Sequence, residues 1–414
     1  MVTEKMSEVP EDKKRLLKEM IKQLHAGASP QEVKERFKQV LASISSLEIS
    51  KIEQELVKEG MPREEIQRLC DVHLLVFQEQ LDKQKPEVPP ENPITILMEE
   101  HKGMLKLLET VNTIVPRVEQ ATGTSDVTED MVRLKQIAED FVDSEKHYLR
   151  EENVLFPILE KHGVTEPPAI MWSEHDKIRP SEKQLSNLVE NYKNMSFQEL
   201  KEQLSETAKS LNSLLPSHFY KENNILFPTA LRVVTPEEWK QIQKEFDVIG
   251  YCRFTPRHLI AGSQGIRTEE QKPEAKLVSE HLMQFETGTI SKDEVDALLK
   301  TLPVDITFVD NEDKVRYFNK SEIFMRTKAV LGRKVQQCHP QKSVHIVNRI
   351  IESFKSGKKD VAEFWIPLKS RMIHIRYFAV RARNGKYLGT MEVTQDVTDI
   401  KRIEGERRLL DWKD

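Results

Sequence analysis

The sequence lacks most features of secreted and membrane-spanning proteins. It has only three cysteines among 414 residues, and Cys70, Cys252 and Cys338 lie far apart. This scatter excludes a disulfide framework and favours a reducing compartment. No run of about 18 apolar residues is present, so we expect no membrane-spanning helix. We also expect no signal peptide, because the N-terminus has no apolar core, and we predict a cytoplasmic location.

The charge and the motifs of the sequence do not support a function in nucleic-acid binding or in nucleotide hydrolysis. The net charge is −5, and 32% of the residues are charged. A chain with this balance offers no basic surface of the kind that binds nucleic acid. We find no P-loop, no protein-kinase signature and no basic recognition helix. The absence of catalytic motifs favours a binding or sensing protein over an enzyme.

The length and texture of the sequence predict a multidomain chain that is mainly α-helical with a C-terminal α+β domain. A single core rarely grows beyond roughly 250–300 residues. Residues 1–85 read as a helical module, and residues 86–93 contain four prolines that predict a linker. Residues 94–245 predict an up-and-down four-helix bundle with short polar connections. The four helical patterns cover roughly residues 94–115, 128–162, 167–193 and 197–232.

The C-terminal part has a different periodicity. Residues 246–288 are predicted to form a connector, with a helical piece near 268–285. Residues 289–400 contain five segments that alternate with period two and one helical segment at about 341–355, which predicts an antiparallel sheet with helices. Residues 401–414 predict a charged C-terminal helix.

An eleven-residue phrase occurs twice, as HYLREENVLFP at 147–157 and as HFYKENNILFP at 218–228. In each copy a histidine precedes a glutamate by four positions, so that His147 shares a helix face with Glu151 and His218 with Glu222. A buried imidazole and carboxylate without partners would cost on the order of several kcal/mol. A bound metal ion would remove this cost in both copies.

Two further histidines match the other two helices of the bundle. His101 in EEHKGM and His175 in SEHDKI each follow a glutamate. Four imidazoles and two carboxylates are too many for one tetrahedral zinc and suit two metal ions bridged by carboxylates. Nitrogen and oxygen ligands without thiolate favour iron or manganese. The alternative, ordinary satisfied polar residues, fits any single histidine better than it fits the repeated set of six.

This segment resembles the hemerythrin-like (HHE) cation-binding family, a four-helix bundle with a non-haem di-iron centre. The resemblance implies four terminal histidine ligands and two bridging glutamates, namely His101, His147, His175, His218, Glu151 and Glu222. Oxygen-carrying members have a fifth histidine where this chain has Arg179, and they use His-x-x-x-x-Asp on the last helix, where this chain has His218 with Glu222. The missing ligand implies open coordination positions. It therefore implies reaction with oxygen, nitric oxide or peroxide rather than reversible oxygen storage.

The predicted sheet domain resembles a PAS sensor domain. The resemblance rests on LPVDITFVDNEDKVRYFN near its start and MEVTQDVTDIKR at its end. PAS pockets often hold haem, flavin or a small metabolite, so Cys338, His339 and His374 are a candidate ligand site. The alternative is a loop histidine and a small packed cysteine. The residues alone leave the cofactor of this domain unknown.

The first 85 residues resemble a helical module of unknown function found ahead of hemerythrin-like domains. His25, Cys70 and His73 are a candidate second metal or haem site within it. One cysteine and two histidines fall short of a closed zinc site, so packing of Cys70 and His73 in the core is favoured.

These observations predict a cytoplasmic di-iron sensor that responds to oxygen, nitric oxide or redox state. The PAS domain would pass the signal to an unidentified protein. A homodimer could form through the PAS domain and the C-terminal helix. The alternative is a di-iron enzyme or iron donor in nitrosative or oxidative stress, acting in iron–sulfur cluster repair or in peroxide or nitric oxide reduction. Two irons per chain would make a poor iron store. No nucleic-acid or membrane partner is expected.

Overall fold

The computed structural model describes residues 11–25, 27–36, 46–62, 87–260 and 282–406. The chain divides into two compact units, Met1–Arg267 and Thr268–Asp414. The described residues of the first unit are helical, and those of the second contain an antiparallel sheet with helices. The predicted fold class is therefore confirmed. No described helix is long and apolar enough to cross a membrane.

The N-terminal helices are Glu11–His25, Pro30–Arg36 and Ser46–Lys58. The third of them packs against the bundle, because Ile52 and Leu56 are each 1% exposed and Gln54 Nε2 donates a hydrogen bond of 3.1 Å to Thr165 Oγ1. Cys70 and His73 lie outside the described residues, and so does the side chain of His25.

Four long helices form the bundle, and two of them contain a π-helical turn. Bundle helix 1 is Pro93–Gln120 and bundle helix 3 is Glu166–Asn191. Bundle helix 2 consists of Thr128–Asp143, Glu145–Arg150, the π turn Glu151–Leu155 and Phe156–Lys161. Bundle helix 4 consists of Phe197–Lys221, the π turn Glu222–Leu226 and Phe227–Val233. The helices Pro236–Ile249 and Arg257–Ile260 follow.

Bundle helices 1 and 4 begin at capping residues, and all four bundle helices bury one apolar face. Asn92 Oδ1 accepts a hydrogen bond of 2.9 Å from the Ile94 amide, ahead of a proline in the first turn. Ser196 caps bundle helix 4 in the same way, through the Glu199 amide. The inward faces of the four helices share one apolar core that includes Leu108, Leu134, Leu185, Leu204 and Leu211.

The second unit contains a hairpin, a five-stranded sheet and two longer helices. The hairpin strands are β1 (Leu282–Phe285) and β2 (Gly288–Ser291). The sheet strands are β3 (Asp305–Asp310), β4 (Val315–Phe318), β5 (Val361–Leu368), β6 (Arg371–Arg381) and β7 (Tyr387–Asp396). Their order is β4-β3-β7-β6-β5, and all neighbours are antiparallel. The helices are Lys292–Thr301 and Gln341–Lys355.

Two local predictions differ from the structure. Of the helical piece predicted near 268–285, residues 282–285 form strand β1, which pairs with β2 across a two-residue turn; the rest lies outside the described residues. The residues Leu-Met-Gln-Phe do not alternate, so the strand follows from its pairing with β2 and not from a pattern of its own. Of the predicted C-terminal helix 401–414, residues 401 and 402 end the 3-10 turn Ile400–Arg402, residues 403–406 are not helical, and residues 407–414 lie outside the described residues.

Candidate metal centre

The six predicted ligands converge inside the bundle, and none is more than 1% exposed. Their donor atoms form two groups, each with all members within 4.8 Å of one another. The first metal position is defined by His101 and His147, and the second metal position by His175 and His218. Both groups include Glu151 and Glu222. The structure thus places two carboxylates between two pairs of imidazoles.

The ring nitrogens that face inward lie close together within each pair. The Nε2 atoms of His101 and His147 are 3.2 Å apart, and those of His175 and His218 are 3.1 Å apart. Glu222 Oε2 lies 2.9 Å from His101 Nε2, while its Oε1 lies 3.1 Å from His218 Nε2. One carboxylate therefore spans both positions with its two oxygens, as a bridging ligand does.

The donor set fits a pair of cations. Among the described residues, none of the four carboxylate oxygens of Glu151 and Glu222 accepts a well-aligned hydrogen bond, although all four are buried. Burial, followed by the charge of Glu222, raises the pKa of Glu151 to about 8. Two carboxylate charges this close and this buried need positive charge between them. Imidazole nitrogen and carboxylate oxygen are ligands that iron, manganese and zinc accept.

The outer nitrogen of each histidine meets an acceptor that orients the ring. His147 Nδ1 lies 2.9 Å from Glu100, and His218 Nδ1 lies 2.9 Å from Glu174. The other two Nδ1 atoms pair with the residues that follow the bridging glutamates, His175 with Glu152 at 2.8 Å and His101 with Asn223 at 3.2 Å. With the proton on Nδ1, each Nε2 directs a lone pair inward, as metal-binding histidines require.

Buried cations neutralise two of these orienting carboxylates. Arg150 pairs with Glu100, and Lys221 pairs with Glu174 at 2.6 Å. Burial opposes the charged form of Glu174, but the hydrogen bond from His218 and the Lys221 ammonium lower its pKa to about 2. Both cations stand three residues after the ligand histidine, so the duplication includes the second layer of the centre.

Arg179 occupies the place of a fifth histidine but joins the outer network. Its guanidinium binds both oxygens of Glu152, at 2.9 and 3.0 Å, and its Nε donates to Glu145 at 2.8 Å. Arg179 thus holds the carboxylate that orients His175. At the first position, Leu105 stands at the equivalent place and Asn223 replaces Glu152, so the two positions differ in charge outside their ligands.

The π turns account for residues that occur in both copies of the repeated phrase. Phe156 N–H donates to Glu151 O and Phe227 N–H donates to Glu222 O, five residues back. The following prolines have no N–H with which to continue an α-helical ladder. The phrase asparagines bond carbonyls nearby, Asn153 to Leu149 O at 3.0 Å and Asn224 to Tyr220 O at 2.7 Å. π turns occur often at functional sites.

Aromatic rings enclose the imidazoles. Phe156 stacks on His175 with centroids 6.0 Å apart, and Phe227 stacks on His101 at 5.5 Å. The Tyr148 ring lies 4.5 Å from His175, but its hydroxyl donates to Glu182 at 2.9 Å. The phenylalanines of the repeated phrase therefore form an apolar wall against the ligands.

The other candidate site residues do not form a comparable cluster in the described part of the chain. Cys338 packs against the buried cluster around Val309, and His339 Nδ1 bonds its own turn at Val335 O. His374 bonds Glu363 on β5 and lies on the opposite face of the sheet from Val309, as the register through β7 shows. The structure therefore does not bring His374 together with Cys338.

Sequence reasoning missed the residues that orient the ligands. These are Glu100, Glu152, Glu174, Arg150, Lys221 and Asn223. A signal for four of them was present, because a glutamate precedes each single histidine and a basic residue follows each repeated histidine by three positions.

Three family models match the chain in the predicted order, which confirms the predicted architecture. A family of unknown function, DUF438, matches residues 17–83. The hemerythrin HHE cation-binding domain matches residues 92–230, and a PAS domain matches residues 295–398. The bundle that carries the candidate centre is thus the segment that matches a cation-binding domain.

Solved structures are similar to only part of the chain. A C-terminal domain from Streptococcus mutans is 28% identical, with 30% of this chain and 97% of that chain covered and a TM-score of 0.29. A PAS domain from Colwellia psychrerythraea is 14% identical, with 26% and 97% covered and a TM-score of 0.22. A sensory box sensor histidine kinase from Vibrio cholerae is 16% identical, with 25% and 90% covered and a TM-score of 0.20. No curated protein is significantly similar to the chain.

Proposed function

We propose that this protein is a cytoplasmic sensor whose bundle holds two non-haem iron ions bridged by Glu151 and Glu222. The observation that carries the proposal is that two groups of buried donors share these carboxylates. Manganese is the alternative metal, because it accepts the same ligands. When bound, the ions would supply redox capacity and open positions for oxygen, nitric oxide or another small redox ligand.

The residues of the chain define what such a centre can do. Each position draws two imidazoles and a share of two carboxylates, which is fewer donors than an octahedral ion takes. The outer acceptors keep each ring in one tautomer, and Phe156 and Phe227 stack on two of the rings. These features support binding of a small ligand at the ions. The PAS domain supports a signalling role, with output through a second protein.

A di-iron enzyme or iron donor in nitrosative or oxidative stress is the second candidate. The position of Arg179 favours this function. Glu145 and Glu152 hold the Arg179 side chain in the outer network, so no side chain takes the place of the fifth histidine ligand. Iron-loaded protein with nitric oxide or peroxide and an electron donor separates the two functions. A sensor gives one stoichiometric spectral change, whereas an enzyme continues to consume its substrate.

The first test is metal content with an ultraviolet–visible spectrum before and after exposure to air. We expect about two metal ions per chain. Replacing Glu151 and Glu222 together by Ala should abolish the bridged pair, because both positions lose their shared ligands.

A matched control replaces Glu190 and Glu206 by Ala, since these glutamates lie on exposed faces of bundle helices 3 and 4. It changes the charge equally and should keep both ions. Retention of both ions by the Glu151 and Glu222 double variant would show that the bridging assignment is wrong.

A further inference from the structure

A loop beyond the bundle lies against the candidate metal centre. Residues 250–255, GYCRFT, follow the helix Pro236–Ile249, which ends at Gly250 with a φ of 87°. Within the loop, Cys252 and Thr255 are 3% and 4% exposed. The sequence predicts this segment as part of a connector, yet Cys252 and Thr255 are buried like residues of the bundle core, while Arg253 is exposed.

The loop binds the carboxylate that orients a ligand of the first metal position. Thr255 Oγ1 donates to Glu100 Oε1 at 2.5 Å, and the Cys252 amide donates to the same oxygen at 3.4 Å. The other oxygen, Glu100 Oε2, accepts from His147 Nδ1 at 2.9 Å and from Arg150. One buried carboxylate therefore connects the loop on one side with a metal ligand on the other.

Two more contacts hold the loop against the bundle. The Phe254 ring lies over Gly103 on bundle helix 1, where an added Cβ would come within 2.5 Å of the ring. Only a residue without a side chain permits this approach. The Arg253 amide donates to Asp143 on bundle helix 2 at 2.8 Å. The loop is thus fixed to both helices that supply the histidines of the first metal position.

The second metal position is oriented differently. Glu174, the counterpart of Glu100, takes its contacts from His218 and Lys221, which are both on bundle helix 4. The contact with the loop therefore belongs to the first position and breaks the symmetry of the duplicated hairpins.

We propose that the 250–255 loop is part of the metal centre and that Thr255 is a positioning residue for the first metal position. The inference rests on the proposed binding of two ions. Thr255 fixes Glu100, and Glu100 fixes the tautomer and ring orientation of His147. Because coupling between two equilibria is reciprocal, an ion at the first position also stabilises the loop. From this loop the chain continues to the C-terminal unit, which begins at Thr268.

The test is an anaerobic calorimetric titration of the metal-free full chain with ferrous iron alone. Loss of a partner outside the ligands typically weakens metal binding by 10–100-fold, and Thr255 acts through Glu100. We therefore expect Thr255→Val to weaken one of the two binding steps by about tenfold, at the low end of that range. Thr255→Ser keeps the hydroxyl and should restore the wild-type titration.

Two controls give the titration its specificity. Thr207 is 5% exposed and its hydroxyl bonds Gln203 O one turn away, so Thr207→Val should titrate like wild type. Lys221→Met should weaken the other step, because Lys221 supports Glu174. Wild-type behaviour of Thr255→Val, or equal weakening of both steps, would overturn the inference.

Hydrogen exchange of the unmodified chain is a second measurement that needs no variant. Iron loading should slow exchange of the Cys252 and Arg253 amides, and unchanged exchange in a chain loaded with two ions would also overturn the inference. A wild-type chain that binds no iron would instead contradict the proposed function itself. The two failures are therefore distinguishable.

Discussion

Buried glutamates perform three different tasks around the candidate centre. Glu151 and Glu222 face the metal positions with oxygens that accept no well-aligned hydrogen bond from the described residues. Glu100 and Glu174 orient ligand histidines and are neutralised by cations. Glu182 does neither, because it accepts hydrogen bonds from the Tyr148 and Ser144 hydroxyls. The same residue type thus serves as a metal ligand, as an orienting group or as a structural hydrogen-bond acceptor, according to its partners.

Glu182 makes the stability of the metal-free chain depend on pH. Burial raises its pKa from 4.5 to about 7, against a lowering by the hydrogen bond from Tyr148. A group that holds its proton more tightly when folded contributes stability that is present below pH 4.5 and lost as the pH rises to about 7. We expect Glu182→Gln to remove this loss, on the order of 2 kcal/mol between pH 5 and pH 7.

Denaturant unfolding at several pH values measures this difference. Glu190→Gln, at an exposed position on the same helix, serves as the control and should follow the wild-type curve. Parallel curves for wild type and Glu182→Gln would show that Glu182 is ionised in the folded chain throughout this range.

Individual ligands were predictable, but their orienting partners were not. A His and a Glu four apart share a helix face, so the sequence alone placed His147 with Glu151 and His218 with Glu222. Glu100 on bundle helix 1 orients His147 on bundle helix 2. That pairing depends on which helices are neighbours and on how each helix is rotated about its axis. Local spacing carries no such information.

Among the elements, the two π turns shape the centre most directly. Each turn begins at a bridging glutamate and ends before the phenylalanine that packs on a ligand histidine. Each is accompanied by an asparagine that bonds a carbonyl four residues back. The turns therefore need side-chain support that an ordinary α-helix does not.

Removing this support should destabilise the fourth helix. Asn224 is 3% exposed and donates to Tyr220 O at 2.7 Å, so Asn224→Ala removes a part-buried hydrogen bond. We expect a loss of about 1 kcal/mol in the free energy of unfolding. Asn191→Ala removes the same kind of bond, to Asn187 O, at an exposed site and should cost less than about 0.5 kcal/mol. Equal losses in denaturant unfolding would contradict a special role for the π turn.

Elements with a strong period were predictable, and irregular ones were not. Amphipathic spacing located the four bundle helices and the helix Gln341–Lys355, and alternation located the five sheet strands. A π turn adds one residue to a helical turn, but the apolar residues on either side of it keep a helical pattern. The sequence therefore does not reveal the π turn. The short hairpin of β1 and β2 offered only four residues per strand.

At the scale of the whole molecule, the described metal-binding groups belong to the first unit. In the second unit, Cys338 and His374 are separated by the sheet, and neither joins a group of metal-type donors within the described residues. Burial raises the pKa of the Cys252 thiol. Among the described residues, we therefore expect only those of the bundle to bind metal.

A substitution in the N-terminal module tests this division. His73 lies outside the described residues, and packing in the core remains our prediction for it. We expect His73→Ala to leave about two metal ions per chain, whereas His218→Ala removes a ligand of the second position and should lower the content. Metal analysis of the purified variants compares them, and a loss of metal in His73→Ala would place a site in the N-terminal module.

The π turns also restrict the length of the repeated phrase. A π turn holds one residue more than an α-helical turn, so omitting one residue between Glu151 and Pro157 would let the turn close as an ordinary α-helix. The bridging glutamate would then stand four instead of five residues before the phenylalanine that packs on a ligand histidine, and the same holds for Glu222 and Phe227 in the second copy. A codon lost within either phrase would thus do more harm than many exchanges of one amino acid for another, because spacing there matters as much as identity.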